Sequence, residues 1–363
     1  MPPNKYIARI LAIALSAIAL VACSTSNDQP SSAPPTTAPT AATRTVVDMT
    51  GRSVQIPTNI NRVAADYPAL NQMIFMLGDA DRIVATSQDM KTDYPLFATM
   101  YPRLKEISAP FVSGGANANA EELLADRPDV VFLSAGAKTL LPTMERLHIP
   151  ALIFSSFTGP NELKAAVKLV ANVMGGNAVT RANQFAAYYD ANVKRVQTAT
   201  ADIPQADQPK VYYTAGNPLQ TEGKGSIVTT WMNAAGGRNI AAENGISTPP
   251  TFSTVSFEDV VKWNPDVIIC REPATKTAIL ADPRWRNIAA VKNNRVYVSP
   301  RGVFIWSVRS AEAALQPLWA AKMLHPDKVA DLDLRKEVKD FYATSYSYNL
   351  SDQQIDAILN PTA

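Results

Sequence analysis

The 363-residue chain has few of the side chains that hold bare metals or staple small folds: two cysteines and two histidines. Cys23 closes an N-terminal leader, so Cys270 is left alone and no internal disulfide can form. Stability must therefore come from a core, and Cys270, at the end of the apolar run VIIC, reads as a buried, inert thiol. His148 and His325 stand singly at element boundaries. Without a histidine cluster or paired cysteines, the sequence argues against a bare-metal site. A bias of charge is missing too. The leader carries Lys5 and Arg9, and its removal leaves 32 basic against 32 acidic residues. A nucleic-acid binder would show a basic excess, so nucleic acid is not an expected partner. No glycine-rich phosphate loop follows a strand and no G-x-S-x-G elbow is present, so no enzyme constellation stands out.

The only long apolar run is Ile10–Val21, too short to span a bilayer comfortably. Behind the basic Lys5 and Arg9 it ends in Leu20-Val21-Ala22-Cys23, the pattern of a bacterial lipoprotein signal with Cys23 as the lipidated residue. Residues 24–43 are almost wholly Ser, Thr, Pro, Ala and Asn and read as a disordered tether. An acylated cysteine and a tether would hold a folded domain near a membrane surface, outside the cytoplasm.

What the sequence does have is a repeat. AEELLADRPDVVFLS (120–134) and FEDVVKWNPDVIICR (257–271) align without a gap. Glu121 matches Glu258, Pro128-Asp129 matches Pro265-Asp266, and the apolar Leu124 matches Val261. Each copy reads as a short helix, a Pro-Asp corner and a buried strand. Two copies 137 residues apart predict two similar α/β lobes with largely parallel sheets, and hence a cleft. The boundaries read 44–177 for the first lobe, 178–199 for a connector helix and 200–363 for the second lobe with its terminal helices. The connector carries an apolar stripe at helical spacing: Val179, Ala182, Phe185, Ala186, Tyr189, Val193 and Val196. A further helix is expected over Ala311–Leu324.

Five segments in order resemble the substrate-binding proteins of ABC importers for iron-siderophores, haem and cobalamin. They are TVVDMTGRSVQIP, the paired E-x6-P-D-V copies, SIVTTWMNAAGGRNIA (226–241), DPRWRNIAAVKNNRVYVSP (282–300) and PLWAAKMLHPDKVADLDLRKEVKDFY (317–342). The resemblance spans 44–359. It implies two α/β lobes joined by one long helix, no catalysis, no intrinsic cofactor, and a metal chelate such as an iron-siderophore held between the lobes. Haem, cobalamin and nickel complexes are the alternatives within the class. An envelope hydrolase or a ligand sensor on the same fold are the alternatives outside it. The implied partners are a membrane permease and its ATPase, with the protein acting as a monomer. It also implies that Glu121 and Glu258, one per lobe, dock on permease arginines; a carboxylate favoured by the helix dipole is the other reading.

A chelate pocket needs Arg for oxygen groups and Tyr or Trp for rings, placed just past the C-terminal ends of strands. Those positions give Asp66, Tyr67, Ser113, Asn117, Ser134, Tyr213, Arg271, Arg301 and Trp306, with Gly114 and Phe304 beside them. Arg271 meets the ligand or pairs with Glu272. Trp306, in the loop SPRGVFIW, meets the ligand or packs locally. Tyr94 supplies a phenolate to a haem iron or anchors its loop.

Overall fold

The computed structural model describes residues 42–112, 117–247 and 252–362. The leader, Cys23, most of the 24–43 tether, Ser113 and Gly114 lie outside the described residues. The described chain opens with a hairpin of β1 (Thr43–Val47) and β2 (Ser53–Pro57), paired in antiparallel register Val46↔Val54. Asp48 builds its turn. One carboxylate oxygen accepts from the Thr50 amide (2.9 Å), the Thr50 hydroxyl (2.7 Å) and the Arg52 amide (3.0 Å). Gly51 takes the left-handed φ of 83° that the tight reversal needs. The other oxygen accepts from the Ile153 amide at 3.2 Å and fastens the hairpin to the first lobe.

The first lobe is a five-stranded parallel sheet. Its strands are β3 (Val63–Ala65), β4 (Ile83–Ser87), β5 (Ser108–Phe111), β6 (Val130–Ser134) and β7 (Ala151–Phe154). They lie in the order β5-β4-β3-β6-β7. The second lobe contributes β8 (Lys210–Thr214), β9 (Gln220–Thr221), β10 (Arg238–Asn239), β11 (Ser253–Thr254), β12 (Val267–Cys270) and β13 (Val296–Val298). Four of these form the parallel sheet β10-β8-β12-β13, and β9 and β11 pair antiparallel beside it. All-parallel sheets are covered on both faces, which explains strands such as VVFL and VIIC that are apolar throughout.

The repeat folds as a repeated corner. Asn119 and Ser256 cap the helices Ala120–Asp126 and Phe257–Trp263, Ser256 within a capping box with Asp259. Both helices end in a left-handed residue, Arg127 (φ 44°) and Asn264 (φ 43°). The aspartate of each Pro-Asp then reaches the start of the neighbouring strand. Asp129 accepts from the Asn61 and Arg62 amides at 2.7 and 2.9 Å. Asp266 accepts from the Lys210 amide at 2.8 Å. Of the matched apolar positions, Val131 and Ile268 are core, whereas Leu124 and Val261 are 51% and 48% exposed.

The helix Asn177–Thr200 has 24 residues and spans about 36 Å. It starts after a corner at Gly175 and Gly176, both at positive φ. Ala182, Phe185, Ala186, Tyr189 and Val196 of the expected stripe are buried; Val193 is half-buried and Val179 is exposed. Asn192 takes the inward position instead, donating to the Ala314 carbonyl at 2.9 Å. Arg181 donates to the carbonyls of Met76 (2.9 Å) and Ser345 (2.6 Å), tying the long helix to both lobe-packing segments.

One continuous core runs from the hairpin through both lobes to the last helix, and each sheet has a smaller core on its other face. The expected Ala311–Leu324 helix is a 3-10 turn, Ala311–Ala314, followed by the α-helix Gln316–Leu324 with Pro317 in its first turn. Proline lacks the N–H needed to continue an earlier helix, so the pattern breaks there. The Leu334–Tyr346 helix crosses to the first lobe, where Tyr346 stacks on Phe75 with ring centroids 5.2 Å apart. Among the described residues no helix is long and apolar enough to cross a membrane.

Candidate functional site

The residues just past β3, β6 and β7 line a pocket with a volume of about 190 Å³. Tyr67, Leu70, Phe154 and Phe157 give it an apolar side. Ser134, Ser155 and Ser156 supply hydroxyls. A residue from the other lobe's C-terminal segment, Arg309, completes the lining. Its guanidinium makes no hydrogen bond within the described residues, and its only ion-pair partner is Glu222, with Nη2 to Oε2 at 3.7 Å. Among the described residues Arg309 thus has five donors without hydrogen-bond acceptors in the lining of this pocket.

Asp66 supports this wall from below. Fully buried, it accepts from the Ser134 amide at 2.7 Å and the Ser134 hydroxyl at 2.6 Å. Burial pushes its carboxyl up to about 6, although both Ser134 bonds oppose the rise. The Ser134 hydroxyl proton is committed to Asp66, which leaves its lone pairs for other neighbours. Tyr67 is half-buried with its ring edge-on to Phe304, centroids 5.9 Å apart. Burial raises its pKa, while Arg309 and Arg271 pull the other way.

The other expected residues divide by place. Arg271 and Arg301 share Glu272: Arg271 Nε donates to Oε1 and Arg301 Nη1 to Oε2, each at 3.1 Å. Arg271 also lies over the Phe252 ring at 4.9 Å. Arg301 reaches the first lobe, donating to the Asp93 carbonyl at 3.2 Å and covering the Tyr94 ring at 5.4 Å. Tyr94 is 8% exposed and packs on Phe304 at 5.1 Å. Burial drives its phenol well above the ordinary value, opposed by the Arg301 charge.

Tyr213 and Trp306 do not line the pocket. Tyr213 is fully buried with its hydroxyl 2.9 Å from the Ser307 hydroxyl. Trp306, which the sequence leaves between ligand contact and local packing, is fully buried in the core. The reason is Glu312. Its buried carboxylate accepts from the amides of Val303 (2.9 Å) and Phe304 (2.8 Å), from Gln72 Nε2 (2.8 Å) and from the Tyr342 hydroxyl. Tyr342 and Glu312 leave no space for a Cβ at Gly302. This hub turns the SPRGVFIW loop inward. Burial pushes the Glu312 carboxyl up to about 7 despite those bonds. Asn117 is exposed, and its carbonyl accepts from the Val112 amide at 3.2 Å.

Glu121 and Glu258 are both exposed, each in the first turn of its lobe's repeat helix. Arg309, Glu222, Glu312 and Gln72 escaped the sequence reading. Arg309 and Glu222 follow no strand pattern, and only a count of arginines near the Trp306 segment offered a signal. No cluster of three or more potential metal ligands occurs among the described residues.

A model of the periplasmic binding protein family matches residues 63–301, well over half of the chain. The chain belongs to that family. As a periplasmic binding protein it is an ABC-importer component that works outside the cytoplasm with a permease and its ATPase, and it binds rather than transforms its substrate. It is 30% identical to the molybdate-binding protein MolA of Haemophilus influenzae, over 84% of this chain and 91% of that one. The molybdate-bound structure of that protein superposes with a TM-score of 0.76 at 27% identity, covering 85% of this chain and 99% of the other. A periplasmic solute binding protein from Veillonella parvula gives 0.75 at 28%, covering 88% and 97%. A cobalamin-binding protein of Halobacterium salinarum is 26% identical over 69% of this chain and 65% of its own length.

Proposed function

We propose that this periplasmic binding protein captures a compact tetrahedral oxyanion of the molybdate type. The observation that carries the reading is Arg309, a guanidinium without a hydrogen bond among the described residues, lining a pocket of about 190 Å³ with Ser155 and Ser156. Fork-like donors suit oxygen-rich anions. A drug-sized or larger chelate needs roughly 300–1,000 Å³, so the small pocket favours a small ligand. Likeness to a molybdate-binding protein supports the same reading.

An iron-siderophore, or a haem, cobalamin or nickel complex, is the second reading. Arg271 and Arg301, set over the Phe252 and Tyr94 rings, favour it. Both cations already serve Glu272, so a chelate would have to displace that pairing. Asp66, Tyr67, Ser134 and Arg309 belong to the site in the first reading, and Arg271 and Arg301 in the second. Asn117, Ser113, Tyr213 and Trp306 have weaker support in both.

Docking on the permease through Glu121 and Glu258 remains part of the proposal. Each carboxylate has an exposed apolar residue one turn further on, Leu124 or Val261, which gives both lobes the same mixed patch. The lipid anchor at Cys23, the lobe boundaries and a monomeric state stand on the sequence reading. Calorimetric titration of the purified protein with molybdate, sulfate and a ferric siderophore separates the ligand readings. Heat with molybdate and none with the siderophore supports the first; the reverse replaces it with the second.

A further inference from the structure

We infer that Glu222 is the resident counter-ion of Arg309, competing with the bound anion and so setting how tightly the pocket holds it. The inference rests on the oxyanion reading above. Glu222 lies just after β9, in the lobe opposite the serines. Its side chain is fully buried, and neither carboxylate oxygen has a hydrogen-bond partner. Burial raises its pKa, with the charges of Arg309 and Arg271 and the Ser226 hydroxyl opposing the rise, so a nearby cation is what keeps it ionised. Arg309 is that cation, yet its 3.7 Å separation from Oε2 is too long for a hydrogen bond. Glu222 therefore holds the guanidinium by its field and leaves the donors free.

This arrangement keeps a cation in a half-buried place without consuming its hydrogen bonds. It also puts a negative charge beside the cation that an incoming anion must use. The anion gains Arg309 and meets the repulsion of Glu222 in the same step. The other ionisable groups acting on Glu222 and its surroundings are Arg271 and Tyr213. The Tyr213 hydroxyl is engaged with Ser307, and Arg271 with Glu272, so neither substitutes for Arg309.

Glu222→Gln keeps the side-chain shape and removes the opposing charge. Calorimetric titration with molybdate and sulfate should show binding about tenfold or more tighter than in the wild type. Unchanged or weaker binding in a folded Glu222→Gln protein overturns the counter-ion role and leaves the oxyanion reading standing. Binding by the variant alone supports the role, with the wild type below detection. No anion binding by either protein sinks the oxyanion reading and this inference with it. If the variant fails to fold, the wild type supplies the test through carboxyl carbon-13 NMR. Molybdate should draw Arg309 away and raise the Glu222 pKa; an unmoved pKa in a protein that binds molybdate overturns the inference.

Discussion

The two copies of the E-x6-P-D-V segment begin alike and end differently. At the start of each strand the chemistry is the same: a capped helix, a left-handed residue, and an aspartate that grips the neighbouring strand. At the exit of β6, Ser134 lines the pocket over the buried Asp66. At the exit of β12, Arg271 is engaged by Glu272 and Phe252. By register the place of Asp66 is taken by Thr214, the last residue of β8. The shared end of the repeat makes the lobes; the divergent end makes one of them the pocket wall.

The largest effect is expected where the copies match on the surface. Glu121→Ala combined with Glu258→Ala should bind ligand normally yet abolish uptake in reconstituted vesicles, with milder defects in each single variant. Rim charges act mainly on encounter and register. High salt should reproduce the loss in the wild type. Full transport by the double variant would return both glutamates to helix-end roles.

The exits should respond unequally. Ser156→Ala, past β7, should weaken molybdate binding several-fold, since a neutral hydrogen bond is worth about 0.5–1.5 kcal/mol, whereas Ser134→Ala should act less because Asp66 already holds its hydroxyl proton. Arg271→Ala should leave it within about twofold, because its guanidinium already serves Glu272. A reversed order in the titrations would move the site to the Arg271 side.

At the shared corner, Asp129→Ala and Asp266→Ala should each destabilise the protein by about 1–3 kcal/mol in urea unfolding. Asp129 should cost more, because it holds two backbone amides and Asp266 one. Equal or negligible losses would remove the corner from the account of the repeat.

The smallest effect concerns Asp66, which has no acidic counterpart at the end of β8. Its folded pKa of about 6 lies above the unfolded carboxylate value of 3.8. The folded state therefore binds the proton more tightly. Its contribution to stability is fully present below the unfolded value and is lost as pH rises towards 6. Stability of the wild type relative to Asp66→Asn should fall across that window; a flat or rising difference would contradict the assigned environment.

Much of the fold is written in local pattern. The runs ending at Ala65, Leu133 and Cys270 are apolar and bounded by turn residues, and the long helix shows its 3.6-residue stripe. The repeat disclosed the two lobes because its corner depends on adjacent residues. The exposed Leu124, Val261 and Val179 show the limit: period marks a face as apolar without naming what covers it. The pocket was half legible. Strand ends pointed to Tyr67 and Ser134, but Arg309 and Glu222 meet only through the tertiary fold. The burial of Trp306 was not legible because it depends on Glu312, whose partner Gln72 lies 240 positions away in the chain.

The central claim is that Arg309, not Arg271 and Arg301, receives the ligand. Crystals grown with molybdate and measured at the molybdenum absorption edge test it directly. The account predicts one anomalous peak in the serine pocket, within hydrogen-bonding reach of Arg309 and Ser156. A peak beside Arg271 and Arg301, or none at saturating molybdate, would contradict it.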